Sequence, residues 1–227
     1  MIYTKSNFPG NDIRMDDYFD KILYINMNKD IERNENMLRQ FKKYGITNYQ
    51  RIEAVEPSLG LDPIIFSATV DKSQIRNFIK KDSKYVLGTY FCRASHLKAI
   101  RYAKENGLYR VLILEDDAVF LTDPNDILKS NINILNDWDM LFFGGLIEPM
   151  FRNQIVEAHA YGVSSKLYDD ILNMAVPSGM EIDNFYAKII QHMSYNYNKS
   201  GKYNIRTVTP FNVIVQDKNF NSNIQNG

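Results

Sequence analysis

The 227-residue chain has one cysteine, Cys92. One thiol cannot close an internal disulfide, so no disulfide framework holds this fold and a reducing compartment is expected. Surplus charge is missing too. Lys+Arg and Asp+Glu both number 27, which removes the basic field that draws nucleic acid in non-specifically. Long apolar runs are missing: "MLFFGGLI" falls far short of the ~20 residues a membrane-spanning helix needs. The first residues, "MIYTKSNFPGNDIRMDD", carry no apolar core. A secretory signal is therefore not expected, and a cytoplasmic location in a bacterium or a large DNA virus is. A Gly-rich phosphate loop is absent, which excludes a P-loop and a dinucleotide-binding fingerprint. No internal repeat and no linker divides the chain.

What remains is 44% hydrophobic and 24% charged, an ordinary composition for one globular domain. The expected layout is an N-terminal extension (1–20), a single domain (21–216) and a polar tail (217–227). "KILYINMN" reads as a buried strand. A helix follows, with Ile31, Met37, Leu38, Phe41 and Tyr44 on one face and Gly45 closing it. "NYQRIEAV" reads as a strand, "EPSLGLDP" as a loop, and "DKSQIRNFIKK" as a short helix capped by Ser73. "YFCRASHLKAIRYAKENG" is helical, with Ala94, Leu97, Ile100 or Arg101, and Ala103 in step. "YRVLILEDD" is the clearest strand, and "WDMLFFGG" and "EAHAYGVSS" are further ones. "KLYDDILNMA" and "MEIDNFYAKIIQHM" read as helices, and "NIRTVTPFNVIVQ" as one or two strands. Strands alternating with helices predict an α/β fold with a mainly parallel sheet, whose ligands sit at the carboxyl ends of strands.

The stretch "VLILEDDAVFL" stands out against that rule. Three acids, Glu115, Asp116 and Asp117, follow directly on a buried strand. Like charges there repel one another and resist desolvation. Carboxylates at a strand end bind hard divalent cations through oxygen, and an Mg²⁺ or Mn²⁺ so held takes its remaining ligands from water and substrate phosphates. The bland alternative is a strand running into a solvated acidic turn. Asn26 lies just past the first strand and Arg33 in the next helix, where a nucleotide or phosphate would sit. Cys92, Ser95 and His96 share the helix that leads into the acid-bearing strand. Taken alone, His96 is a helix histidine satisfied by a neighbour.

Together and in this order, "LYINMNKDIER", "GTYFCRASH" and "LILEDDAVF" resemble the glycosyltransferase family of bacterial lipooligosaccharide and animal procollagen galactosyltransferases, family 25. Members look like I-x-V-I-N-L-x-x-x-x-x-R, G-x-x-x-C-x-x-S-H and L-x-x-L-E-D-D. "AYGVSSKLYDDIL" and "MEIDNF" are similar to two later segments, so the resemblance runs from about Lys21 to Ile224. "INMN" departs from the usual "INLD" or "INLE", and "E-I-D" stands where members have "P-x-D". Both departures bear on donor-sugar and acceptor preference.

The resemblance implies a GT-A fold, a UDP-sugar donor (galactose or glucose), Mn²⁺ or Mg²⁺ beneath the diphosphate, and a glycan or hydroxylated-residue acceptor. It implies inversion at the anomeric carbon. Asp117 is then the expected metal ligand, with Glu115 or Asp116 on ribose or a metal-bound water. Strand alternation favours Glu115 and Asp117 as the pair facing one way, unless the strand has already turned at Asp116. Asn26 and Arg33 are assigned to the nucleotide. Ser95 and His96 line the donor pocket or brace the metal strand, and His159 is the expected late metal ligand. Asp183 is the expected base, with Glu181 and Glu148 behind it, although a helix start lowers a carboxyl pKa and weakens it as a base. Cys92 is expected to be a buried helix residue. Two rival readings use the same acids: a glycan or nucleotide-sugar binding module without turnover, and a metal-dependent nucleotidyltransferase.

Overall fold

The computed structural model describes residues 13–56, 83–149, 154–195 and 202–219. The Ser73-capped helix and the loop beyond Glu56 lie outside those residues. The chain enters through one helical turn, α1 (Met15–Tyr18), with Met15 and Tyr18 buried. The packed unit therefore reaches back into the segment before Lys21. Strand β1 (Lys21–Asn26) is buried along its last five residues, as a strand covered on both faces must be. Helix α2 (Ile31–Tyr44) turns Arg33, Met37 and Phe41 inward, at i, i+4 and i+8, and ends at left-handed Gly45 with φ 64°. Ile31, expected on the inner face, is exposed, and Arg33 takes the inward position instead. Strand β2 (Tyr49–Glu53) and helix α3 (Ser83–Glu105) follow.

Strand β3 (Arg110–Glu115) leads through a turn into β4 (Ala118–Phe120). Helix α4 (Pro124–Ser130) starts with Asp123 accepting from the Asn125 amide and proline in its first turn. Next come β5 (Met140–Phe142), β6 (Leu146–Glu148), β7 (Gln154–Val156) and β8 (Ala160–Ser164). Helix α5 (Ser165–Ser178) closes at Gly179. Helix α6 (Ile182–Phe185) continues as a π-helical run, Tyr186–Gln191, into one more turn, α7 (His192–Tyr195). Strands β9 (Ile205–Thr207) and β10 (Ile214–Gln216) complete the described chain.

Six strands form the central sheet in the order β2-β1-β3-β8-β5-β9. Strand β8 runs antiparallel to both neighbours and the other pairings are parallel. This is the expected α/β architecture. Alternate residues of β3 feed two cores. Val111 and Ile113 pack with α3, α5 and α6, while Leu112 and Leu114 pack with α1, α2 and α4. A second small sheet pairs β10 with β4, laying the C-terminal strand beside the acid cluster.

Candidate active site

The alternation of β3 carries on past its last apolar residue and sorts the first two acids. Glu115 falls on the α3 side. Its Oε1 accepts from His96 Nε2 at 3.1 Å and from the Cys92 thiol at 3.7 Å. Its Oε2 accepts from Gln216 Nε2 at 3.0 Å. Cys92 and His96 are one helical turn apart, so α3 presents both to the same carboxylate. Burial works against the charged form of Glu115, but His96, His159 and Gln216 more than offset it, and the pKa is lowered.

Asp116 points the other way, toward α2. It accepts from Arg33 Nη1 at 2.8 Å and from Asn26 Nδ2 at 2.8 Å. This explains the inward Arg33: the guanidinium is buried because it has a carboxylate to meet. Asn26 is engaged on its other side as well, where its Oδ1 accepts from Arg51 Nε at 2.8 Å. Burial raises the Asp116 pKa, with Arg33 pulling it down. Thus Asn26 and Arg33 meet at an acid, and their arrangement fixes that acid's orientation.

Asp117 lies beyond the strand, in the turn. Arg33 Nη1 is 3.6 Å from its Oδ2, while its Oδ1 is buried with no hydrogen-bond partner. Burial, then the charge of Glu115, pushes its pKa up to about 7. Asp183, in the first turn of α6, accepts from the Ala158 amide at 3.1 Å. Its pKa is also pushed up to about 7, again by burial first and Glu115 second. Burial thus outweighs the lowering expected from its place at a helix start.

His159 immediately precedes β8. Its Nε2 donates to the Ile214 carbonyl at 2.9 Å, and its Nδ1 is buried without a hydrogen-bond partner, 3.9 Å from Glu157 Oε2. Ser95 turns away from the acids: its Oγ donates to the Phe91 carbonyl and accepts from the Val55 amide at 2.9 Å, bracing the segment after β2. Glu181 Oε2 accepts from Asn184 Nδ2 at 3.4 Å, and Glu148 sits on the β6–β7 pair. The Gly144-Gly145 pair is a packing requirement. A Cβ on Gly144 would lie 2.0 Å from the Ile214 carbonyl oxygen and 2.8 Å from His159 Nε2.

The arrangement therefore gathers Glu115, Asp117 and Asp183 around the α3 residues Cys92 and His96, with Asp116 held apart by Arg33 and Asn26. Two carboxyls whose pKa values are pushed up to about 7, one with a buried bare oxygen, mark a place where a second negative charge is disfavoured unless a cation joins it. Oxygen donors in that state fit a hard divalent cation. Sequence reasoning missed Gln216, Arg51 and the contact from Cys92. Gln216 reaches Glu115 only because β10 pairs with β4, a long-range pairing with no local signal.

A mainly parallel sheet with acids at the carboxyl end of a central strand admits several activities, and the family match decides among them: the chain is a glycosyltransferase. It belongs to glycosyltransferase family 25 (LPS biosynthesis protein), whose family model matches residues 19–159. That match takes in Asn26, Arg33, the Cys92–His96 helix, the acid triplet and His159, and stops short of Asp183. No curated protein matches the chain in sequence. Among solved structures, a glycosyltransferase involved in the glycosylation of the major capsid of PBCV-1 is similar at 12% identity. The likeness covers 78% of this chain and 74% of that one, with a TM-score of 0.44. No helix among the described residues is long and apolar enough to cross a membrane.

Proposed function

We propose that the chain transfers a hexose, galactose or glucose, from a UDP-sugar to a hydroxyl of a glycan or hydroxylated residue, with inversion and with the help of a divalent cation. The observation that carries the reading is the buried, unpartnered Oδ1 of Asp117 in the field of Glu115. Asp117 and Glu115 would hold an Mn²⁺ or Mg²⁺ ion, with His159 Nδ1 as a further donor, and the ion would supply Lewis-acid neutralisation of the departing diphosphate.

The protein's own groups do the rest. Arg33 and Asn26 fix Asp116, and Arg33 also approaches Asp117, so both acids keep their orientation when the donor arrives. His96 and Gln216 anchor the two oxygens of Glu115 and leave that carboxylate charged beside the sugar. A fixed carboxylate there favours the oxocarbenium-like state in which the sugar leaves the nucleotide. Asp183 is the base. A carboxyl with a pKa near 7 accepts a proton from the acceptor hydroxyl more readily than an ordinary aspartate, and such a group contributes about 10²–10⁴-fold.

The test is a donor screen. The purified chain with Mn²⁺ is offered UDP-, GDP- and dTDP-sugars, and nucleoside diphosphate release is scored with and without EDTA. Release from a UDP-hexose, abolished by EDTA and lowered about 10²-fold or more in Asp117→Ala, is the expected result. No release from any donor would favour the binding module. Pyrophosphate release from a nucleoside triphosphate would favour the nucleotidyltransferase.

A further inference from the structure

We infer that Cys92, His96 and Glu115 form a second cation site, which takes a borderline-soft divalent ion of the zinc class. Their ligand atoms all lie within 4.8 Å of one another. Two of the separations are set by direct contacts: Cys92 Sγ to Glu115 Oε1 at 3.7 Å and His96 Nε2 to the same oxygen at 3.1 Å. A tetrahedral zinc ion with bonds of about 2.3 Å to sulfur and about 2.0 Å to nitrogen and oxygen puts the corresponding edges near 3.5 and 3.3 Å. Along these two edges the side chains need to move only a few tenths of an ångström, while the third, between Cys92 Sγ and His96 Nε2, lies within 4.8 Å and closes to about 3.5 Å on binding.

The supporting structure is already present. Cys92 and His96 stand at i and i+4 on one face of α3, the helical spacing that brings two ligands to one ion. His96 Nδ1 meets Tyr161 Oη at 2.9 Å, and Tyr161 Oη meets Tyr186 Oη at 2.9 Å, so the ring is fixed from behind. A ligating imidazole is held by such an outer partner. Cys92 and Glu115 are both half-buried, and a water molecule would serve as the fourth ligand. A thiolate and an imidazole select against Mn²⁺ and Mg²⁺, so this site differs in chemistry from the all-oxygen face presented by Asp117.

Binding releases one proton. The Cys92 thiol gives its proton to solvent as the sulfur–metal bond forms. The imidazole gives up its Nε2 proton and takes one at Nδ1, which then donates to Tyr161 Oη. Affinity therefore rises about tenfold per pH unit while the free thiol is protonated. The ion also takes Oε1 of Glu115. On the function proposed above, this makes zinc an inhibitor that excess Mn²⁺ relieves poorly. That consequence rests on the proposed function, whereas the binding itself does not.

The test uses Co²⁺ as a spectroscopic substitute. Titrated into the full chain near neutral pH, Co²⁺ should give a thiolate-to-cobalt charge-transfer band that saturates at one equivalent. One equivalent of Zn²⁺ should abolish the band and excess Mg²⁺ should not. The chain has a single cysteine, so any such band reports Cys92. Cys92→Ala should lose it. Cobalt binding without the band would overturn the site and leave the cation on carboxylates alone, as would a band that persists in the variant. X-ray absorption of the zinc-loaded native chain decides independently of any variant: a sulfur neighbour at about 2.3 Å is expected, and a shell of oxygen and nitrogen only would contradict the inference. A failed sugar-transfer assay would leave the cobalt result untouched, so the two readings fail separately.

Discussion

Asp117 and Asp116 are adjacent and opposite in what they contribute. Asp116 forms a buried ion pair with Arg33, their side chains 9% and 10% exposed. Removing one partner leaves an uncompensated buried charge. Asp116→Ala should lower stability by about 3–5 kcal/mol in urea unfolding. A loss under about 1 kcal/mol would show that the guanidinium finds another partner. Asp117 lies in the field of Glu115, and its pKa of about 7 against an ordinary 3.8 fixes the sign of its pH effect. The folded chain holds a proton there that the unfolded chain has released. The stabilisation is complete below about pH 3.8 and is lost as pH rises through about 7. Without divalent cation, Asp117→Asn should therefore be more stable than the native chain by about 1–3 kcal/mol at pH 8, with the difference shrinking toward pH 4. Equal stability at both pH values would remove the like-charge account. The same substitution should abolish transfer, a stability gain at the expense of activity that marks a strained functional site.

At the scale of elements, the site depends on short strands meeting at close range. Gly144 follows β5 and lies against the β10 backbone, where a Cβ would come within 2.0 Å of the Ile214 carbonyl oxygen. Backbone cannot yield as a flexible side chain can. Gly144→Ala should cost about 1–3 kcal/mol or more and should loosen His159 and Gln216 together, because both depend on β10. A variant with native stability in thermal unfolding would show that β10 shifts freely. The same scale explains what was legible in the sequence. Strands β1, β3 and β8 and helices α2, α3 and α5 run five residues or more, long enough for apolar pattern and end signals to show. Strands β4, β6 and β7 have three residues each, too few to display a period, and no longer apolar stretch marks them as "WDMLFFGG" marks the equally short β5. Helix α4 was also missed, although Asp123 and Pro124 are readable start signals. Arg33 broke the expected face of α2 because pattern alone does not reveal that a charge has a buried partner in another element.

At the scale of the molecule, the sheet order brings residues from Asn26 to Gln216 to one end of β3. The acids, the C-x-x-S-H helix and the strand ahead of Asp183 were readable as separate segments. Their division of labour was not. Which acid faces which helix follows from the alternation of β3, but what waits on each side follows from tertiary packing: Arg33 on one, His96 and Cys92 on the other. The antiparallel β8 sets Tyr161 beside Ile113, so His96 is backed by a tyrosine from a distant strand. No local pattern encodes that contact. The fold sets Asp117 and Asp183 in the field of Glu115 and, by burial first and that charge second, raises both pKa values, and a cation held there is what the proposed transfer requires.

The most direct test of it is a calorimetric titration of UDP into the native chain and into Asp117→Asn, each with Mn²⁺ and with EDTA. The account predicts binding by the native chain that needs Mn²⁺ and weakens by about 10²-fold or more in the variant, because Asp117 would hold the ion that neutralises the diphosphate. Binding of equal strength in EDTA, or binding unchanged by the substitution, would contradict it.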